Sequence, residues 1–322
     1  MKTEKGKIIE QLGLVDLFIC SSGFEERSTR LALSLNTNKI SDSVIFHLND
    51  TYKASNVNLN KIQGKIPEIK VIEYPKNSSL ETFDIFYDTL KRINTDKSNI
   101  SLNVVIDITT FSREVLLILI KVISLRSFSN FKTTIVYTPN ESYSNEDGNF
   151  WMTKGVREIR SIIGFSGLHS PSKKLMLLIL NGFEEERTEH IIECFEPDKI
   201  VFGRPNKKGS INQSLNAISC SKYDSIKIRH QNLITEEFEF SCVDIKTTIN
   251  ELNRIIAENK DFNIVISPLN NKISTIGVAI TAINNEEVQV CYASANQYNI
   301  DIEAVASDYF LVYNLNTLLK NK

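Results

Sequence analysis

The chain has 322 residues, of which 42% are hydrophobic and 24% are charged. This is the composition of a globular protein, and it excludes a chain that is mainly disordered, collagen-like or fibrous. The 37 basic and 39 acidic residues give a formal net charge of −2, so no overall positive field draws the protein to nucleic acid or to an anionic membrane. The length predicts two domains rather than one.

Membrane, secretory and metal-binding signals are missing from the sequence. The longest apolar run, residues 115–120, ends at Lys121 and is far shorter than the ~20 residues that span a bilayer. The first ten residues lack the apolar stretch of a secretory signal. The five cysteines form no CxxC pair, and the four histidines show no metal-ligand spacing. We therefore expect a reduced cytoplasmic protein with no metal, no cofactor and no membrane partner.

A twelve-residue motif occurs twice in the chain. Residues 17–28 read LFICSSGFEERS, and residues 177–188 read LLILNGFEEERT. The glycines of the two copies are 159 residues apart and the arginines 160, so one residue has been inserted.

Two further matches follow in the same order. Residues 103–107 (NVVID) recur as 263–267 (NIVIS) at an offset of 160, and two tyrosines within 137–143 recur within 292–298 at an offset of 155. Ordered matches at nearly one offset indicate an internal duplication.

Each copy alternates predicted strands with predicted helices. In the first copy we expect strands at 14–20, 43–48, 69–74, 102–108 and 133–137, and helices at 79–93, after a capping box, and at 113–128. In the second copy we expect strands at 174–180, 199–202, 225–229, 263–267 and 288–293, and helices at 184–195, 212–219, 244–258 and 272–283.

This alternation predicts an α/β fold made of two tandem Rossmann-like parallel-sheet units related by internal duplication. The predicted domains are 1–165, with a short arm near 145–160, and 174–322. The boundary is placed in the Gly, Ser and Pro-rich stretch 164–174.

The repeated motif lies where an open parallel sheet binds ligands, outside the carboxyl end of a strand and at the first turn of a helix. Free N–H groups at such a turn form an anion site. The candidate ligand-binding residues are Gly23, Glu25 and Arg27 in the first copy and Gly182, Glu184 and Arg187 in the second. The alternative is that each arginine caps the sheet edge or pairs with a local carboxylate.

A second polar loop follows the fourth strand of each copy. In the first copy, Asp107 could orient a ligand hydroxyl, and the hydroxyl and cationic groups that follow could bind phosphate or ribose; they are Thr109, Thr110, Ser112 and Arg113. The alternative is simple N-capping by Thr110 or Ser112. In the second copy the acid is lost, and the candidates are Asn270, Asn271 and Lys272.

These placements make a geometric prediction. Arg27, Asp107 and Arg113 should meet at one rim of the first sheet, and Arg187 and Lys272 at the equivalent rim of the second. The tyrosines after the fifth strands, Tyr137, Tyr143, Tyr292 and Tyr298, could stack on a base there, although a role in the core or a turn is favoured.

Several well-known catalytic motifs do not occur. The sequence has no GxxxxGK[ST] or GxGxxG phosphate loop, no HExxH and no GxSxG. The four histidines are isolated, and we expect them in core or surface roles; Cys20 is expected to be a buried thiol.

The loop Asp-Ile-Thr-x-x-x-Arg at 107–113 after a fourth Rossmann strand, and Ser-Pro-Leu-Asn-Asn-Lys at 267–272, resemble the ligand loop of the CRISPR-associated Rossmann-fold (CARF) sensor domains. Two such units in one chain are similar to the SAVED domains. The resemblance implies a nucleotide-like anionic ligand, such as a cyclic oligonucleotide, in a prokaryotic antiphage defence system. Because the sequence shows no effector, it also implies an effector or NTPase protein partner.

Three functions are open at this point. The favoured hypothesis is a nucleotide- or phosphate-binding sensor or accessory subunit of a prokaryotic signalling assembly, which is not itself an enzyme. The second is an enzyme acting on a nucleotide, a phosphodiesterase or N-glycosidase, with Glu25 or Asp107 as the acid or base. The third is a structural, partner-binding subunit; its nucleic-acid form is disfavoured, but not excluded, by the nearly neutral charge.

Overall fold

A computed structural model describes residues 1–48, 53–95, 97–143, 151–301 and 304–319. The strands in chain order are β1 (Lys2–Glu4), β2 (Leu17–Ser22), β3 (Ser43–Leu48), β4 (Lys70–Tyr74), β5 (Leu102–Asp107), β6 (Phe131–Tyr137), β7 (Asn140–Tyr143), β8 (Thr153–Ser166), β9 (Lys174–Leu180), β10 (Lys199–Pro205), β11 (Ile234–Phe240), β12 (Phe262–Pro268), β13 (Gln289–Tyr298), β14 (Ala304–Ala306) and β15 (Tyr309–Asn314).

The α-helices are α1 (Ile8–Leu12), α2 (Arg30–Ser34), α3 (Lys53–Lys65), α4 (Ser79–Asn94), α5 (Arg113–Ile123), α6 (Glu185–Phe195), α7 (Gln213–Arg229), α8 (Ile245–Glu258) and α9 (Lys272–Asn284). Short 3₁₀ turns occupy Lys5–Lys7, Glu26–Thr29, Thr37–Lys39 and Arg126–Phe128. Within the described ranges, none of the helices is long and apolar enough to cross a membrane.

The chain forms two compact units. Unit 1 contains Met1–Glu141 and Ala304–Lys322, and unit 2 contains Ser142–Glu303. The sheet of unit 1 has the strand order β1-β15-β6-β5-β2-β3-β4, and the sheet of unit 2 has the order β11-β10-β9-β12-β13-β8. Strands β2 to β6 pair in parallel in unit 1, and strands β9 to β13 pair in parallel in unit 2. The predicted fold class, two Rossmann-like α/β units, is therefore confirmed.

Helices pack on both faces of the first sheet, as a parallel sheet requires. On one face Phe18, Ile45 and Val105 form an apolar cluster with Leu31 of α2 and Ile62 of α3. On the other face the ring of Phe46 packs against Phe86 of α4, with 4.2 Å between centroids. Residues that alternate along a strand therefore point to different helix layers, which makes these strands apolar throughout.

The two sheets also share a feature that the sequence did not predict. Each repeat ends with a strand that joins the sheet of the other repeat. Strand β8 follows the first repeat but pairs antiparallel with β13 of unit 2, and β15 follows the second repeat but pairs antiparallel with β6 of unit 1. We call β8 and β15 the exchanged strands.

Because of this strand exchange, the boundaries of the two units differ from the predicted domain boundaries. The predicted domains were 1–165 and 174–322, but contacts divide the chain at 141/142 and again at 303/304. Residues 153–160 of the predicted arm form the first part of β8, residues 151 and 152 precede that strand, and all of them belong to unit 2. Residues 145–150 of the arm lie outside the described residues. Within the stretch 164–174, residues 167–173 form the loop between β8 and β9, which are two strands of one sheet.

One predicted strand is wrong. Residues 225–229 form the last part of α7, and the strand that follows is Ile234–Phe240. The helix begins at the Asn212 cap, whose side chain accepts a hydrogen bond from the Leu215 amide at 2.7 Å. Tyr223 and Ile226, three residues apart, are both buried on its inner face. The alternation of apolar and polar residues at 225–229 resembles a strand, but the buried positions of the longer segment have the spacing of a helix.

Candidate functional site

The arginine of the first repeated motif is buried and bound by its own neighbours. Arg27 is 5% exposed. Its Nε and Nη2 donate to the two carboxylate oxygens of Glu25 at 2.8 and 2.9 Å. Its Nη1 donates to the Tyr137 hydroxyl at 3.2 Å and to the Thr138 carbonyl at 3.0 Å. The guanidinium therefore joins the turn after β2 to the end of β6, as the alternative interpretation of the motif expected.

Two asparagines add hydrogen bonds to this connection between the turn after β2 and the end of β6. Asn140 Nδ2 donates to Glu25 Oε2 at 2.9 Å, and Asn58 Nδ2 of α3 donates to the carbonyl of Gly23 at 2.7 Å and to that of Glu25 at 3.1 Å. Nothing in the sequence around Asn58 signalled this role, because its importance comes from carbonyl groups more than thirty residues away. Glu25 thus accepts hydrogen bonds from Arg27 and Asn140 and holds the turn in one conformation.

Asp107 ends β5 beside this connection. It is 2% exposed, and its Oδ1 accepts hydrogen bonds from the Thr109 amide at 3.0 Å and from the Thr109 hydroxyl. Thr109 Oγ1 in turn accepts from the Thr138 amide at 3.0 Å. Burial raises the pKa of Asp107 from 3.8 to about 6, although the Thr109 hydrogen bonds and the charge of Arg27 oppose the shift. Arg27 and Asp107 are therefore brought together, as predicted.

The raised pKa makes the stability of unit 1 depend on pH. Because the folded state holds the Asp107 proton more tightly than the unfolded state, the stability is fully present below about pH 4 and falls as the pH rises to about 6. A shift of about two pKa units corresponds to about 3 kcal/mol. Between pH 4 and pH 8 we expect Asp107→Asn to gain about 3 kcal/mol in unfolding free energy relative to wild type.

This prediction can be checked by hydrogen exchange of the β5 amides, corrected for the intrinsic pH dependence. Asp16→Asn is a comparison in the same unit, since Asp16 accepts a backbone hydrogen bond at the opposite end of the sheet. A parallel pH profile for wild type and Asp107→Asn would contradict the expected result.

The hydroxyl groups predicted to bind phosphate are used within the protein. Thr110 donates to the Ser21 carbonyl at 2.8 Å, and Ser112 caps α5 by accepting from the Val115 amide at 3.2 Å. Thr109 donates to Asp107. Arg113 is the first residue of α5, six positions after Asp107. The N-capping alternative thus describes Ser112, and the expected meeting of Arg113 with Arg27 stays a prediction.

The second repeated motif makes an equivalent contact in unit 2. Arg187 is 1% exposed, its Nη2 donates to the Ala293 carbonyl, and its guanidinium lies 4.7 Å from the centre of the Tyr292 ring. Burial disfavours its charge, but nearby Tyr292, Glu184 and Tyr298 outweigh burial and raise the pKa of Arg187. Tyr137 and Tyr292 thus serve to hold the arginines; stacking on a base stays a prediction.

The polar loop of unit 2 also repeats a contact of unit 1. Asn270 Nδ2 donates to the Asn181 carbonyl at 2.6 Å, as Thr110 does to Ser21. Asn271 caps α9 by accepting from the Ser274 amide at 3.0 Å, and Lys272 is the first residue of that helix. Equivalent positions of the two repeats therefore connect β2 to the loop after β5 in unit 1 and the end of β9 to the loop after β12 in unit 2.

The two motif glycines permit this close approach. A Cβ on Gly182 would lie 1.9 Å from the Leu269 carbonyl oxygen, and one on Gly23 would lie 2.6 Å from Thr110 Cβ. Their predicted role in ligand binding is untested, but the structure gives both a packing role, because any side chain would push the two loops apart.

Both units contain buried polar atoms without partners at this edge. Within the described part of the chain, no hydrogen bond reaches Asp107 Oδ2, Thr138 Oγ1 or Asn140 Oδ1 in unit 1, or Glu184 Oε2 and Arg187 Nε in unit 2. Such atoms are rare in folded proteins and call for water, an ion or a ligand. Glu184 and Arg187 are three positions apart, whereas Glu25 and Arg27 are two positions apart. Within the described residues, the two-oxygen contact of Glu25 with Arg27 has no counterpart between Glu184 and Arg187.

No family model matches the chain, and no curated protein matches it.

Proposed function

We propose that the protein is a ligand-binding module, and that its main site is the carboxyl edge of the unit 1 sheet. The observation that carries the proposal is a group of buried atoms on Asp107, Thr138 and Asn140 that have no hydrogen-bond partner among the described residues. All three residues are connected to the hydrogen bonds of Arg27. Two of these atoms, the Asp107 and Asn140 oxygens, are acceptors, and the Thr138 hydroxyl can donate or accept.

The donors and acceptors at this edge support one class of ligand. Acceptor oxygens require a ligand with hydroxyl or amino hydrogens, which a ribose or a nucleobase provides. Arg113 and the amino end of α5 begin six residues beyond Asp107, and a helix amino end with a cation favours an anion. A nucleotide combines both properties, so we propose a nucleotide-like anionic ligand.

The position of Glu25 favours binding over catalysis. Its carboxylate accepts hydrogen bonds from Arg27 and Asn140, so it is poorly suited to exchange a proton with a ligand. Together with the resemblance to the CARF and SAVED sensors, this supports a sensor or accessory subunit in a prokaryotic defence assembly, with an effector or NTPase as partner.

One observation favours an enzyme as the second candidate. The pKa of Asp107 is about 6, and a general acid or base works best when its pKa is near the working pH. In that case Asp107 would act on a nucleotide bound at the same edge.

A thermal-shift screen over nucleosides, nucleotides and cyclic oligonucleotides tests the proposal. For a ligand that stabilises the wild type, Arg113→Ala should remove a charge-assisted contact worth ~1.5–3 kcal/mol and weaken binding about 10- to 100-fold. Arg126→Ala, at the exposed turn beyond the other end of α5, is the matched control and should bind normally. Equal binding by both variants would contradict the proposed site.

Product analysis separates the two candidates. A sensor should return the ligand chemically unchanged after long incubation, and Asp107→Asn should alter its affinity only mildly, because an amide oxygen still accepts a hydrogen bond. An enzyme should release product, and Asp107→Asn should abolish turnover while leaving binding nearly intact.

A further inference from the structure

A row of polar side chains crosses three neighbouring strands near the carboxyl edge of the unit 1 sheet. Ser22 of β2 is in register with His47 of β3, and His47 is in register with Glu73 of β4. Residues in register on parallel strands point to the same face of the sheet. A hydroxyl, an imidazole and a carboxylate therefore follow one another across the sheet, on the face that carries Phe18 and Ile45.

Ser22 and His47 are in direct contact. The Ser22 hydroxyl and His47 Nδ1 are 2.6 Å apart, and the two residues are 4% and 6% exposed. Burying a hydroxyl and an imidazole costs free energy that apolar side chains at the same positions would not cost. Packing alone thus gives no reason for a hydroxyl–imidazole pair between Phe18 and the turn at Gly23.

The pair lies near the carboxyl edge of the sheet, beside a turn that is held in place. Both residues lie at the strand ends where open α/β sheets bind ligands. Ser22 is the last residue of β2, and the turn that follows is held in place by Asn58, which donates to the Gly23 carbonyl at 2.7 Å. Glu73 of β4 places a carboxylate at the next position of the row.

We propose that Ser22 is an activated nucleophile with His47 as its base, and that it accepts the acyl group of a carboxylic ester. Ser22 Oγ forms a bond to the ester carbon while its proton passes to His47 Nδ1. The C–O bond to the leaving group then breaks, and His47 returns the proton to the departing alcohol. A water molecule releases the acyl group as a carboxylic acid by the same steps in reverse. This activity is independent of the nucleotide-like ligand.

A small alkyl phosphonofluoridate tests the pair on the intact protein. Attack by Ser22 forms an Oγ–P bond, breaks the P–F bond and releases fluoride, while His47 takes the proton. Mass spectrometry of the digested protein should locate the adduct on Ser22. His47→Gln, which keeps a polar side chain but removes the base, should slow labelling at least ~100-fold.

Two controls make the result decisive. Ser21→Ala removes the adjacent hydroxyl, which donates to the Ser22 carbonyl at 3.4 Å, and should label like wild type. Wild-type protein unfolded in guanidinium should not label, because an isolated serine hydroxyl is unreactive. The proposal is overturned if native wild type carries no adduct on Ser22, or if folded His47→Gln, checked by circular dichroism, labels at the wild-type rate.

Discussion

Cleavage of the chain between Leu168 and His169 should leave two fragments that stay together under native conditions. Both residues are exposed and lie in the loop between β8 and β9, so a protease recognition sequence can be inserted there. The amino-terminal fragment keeps β8, which pairs with β13, and the carboxy-terminal fragment keeps β15, which pairs with β6. Each fragment therefore contains one strand of a sheet formed mainly by the other.

The free energy needed to separate the two fragments depends mainly on the apolar side chains of the exchanged strands. Ile162 and Phe165 of β8, and Phe310, Leu311 and Val312 of β15, are all buried. At roughly 2 kcal/mol each, their exposure on separation would cost on the order of 10 kcal/mol, before the strand hydrogen bonds are considered. We expect one peak of intact mass in native gel filtration and two bands in a denaturing gel.

The outcome distinguishes two divisions of the chain. If the units were 1–165 and 174–322, the same cleavage would release two separate domains, and elution as two species would contradict the strand exchange. Phe310→Asp, which places a charge on the buried side of β15, should lower the guanidinium concentration at which the fragments separate. Val305→Asp is the matched control, because Val305 of β14 is exposed.

Arg27→Ala should destabilise unit 1 by about 3–5 kcal/mol, because removing one member of a buried ion pair leaves the other charge without compensation. The variant loses both contacts to Glu25 and those to Tyr137 and Thr138. The opening free energy of the β2 amides, measured by hydrogen exchange, should fall by this amount.

The matched control is Arg30→Ala. Arg30 is the first residue of α2, three positions after Arg27, and is only partly buried, so its loss should change the stability by no more than about 0.5 kcal/mol. In a Glu25→Gln background, Arg27→Ala should cost less than in the wild type, because no unpaired carboxylate remains. Equal effects of Arg27→Ala and Arg30→Ala would show that the pair adds nothing to the stability of unit 1. Any loss of ligand binding in Arg27→Ala should be compared with this loss of stability, and Arg113→Ala remains the test of the proposed site.

The amino-acid sequence by itself determined the class of fold and the places of the repeated motifs. Continuous apolar strands separated by amphipathic helices are local patterns, and they are sufficient to predict two parallel-sheet units. The repeated glycine and arginine marked the turn after the first strand of each unit, and Asp107 marked the end of the fourth. Because carboxyl ends of parallel strands share one edge, their proximity followed without knowledge of any contact.

Only the tertiary structure decided which sheet each edge strand joins and what the buried polar groups bind. The pairing of β8 with β13 depends on residues more than a hundred positions away. Ser22 and His47 are isolated in sequence, and only the register of β2 against β3 brings them together. Periodicity records which face of an element is apolar, whereas strand pairing and hydrogen bonding depend on partners that local patterns do not encode.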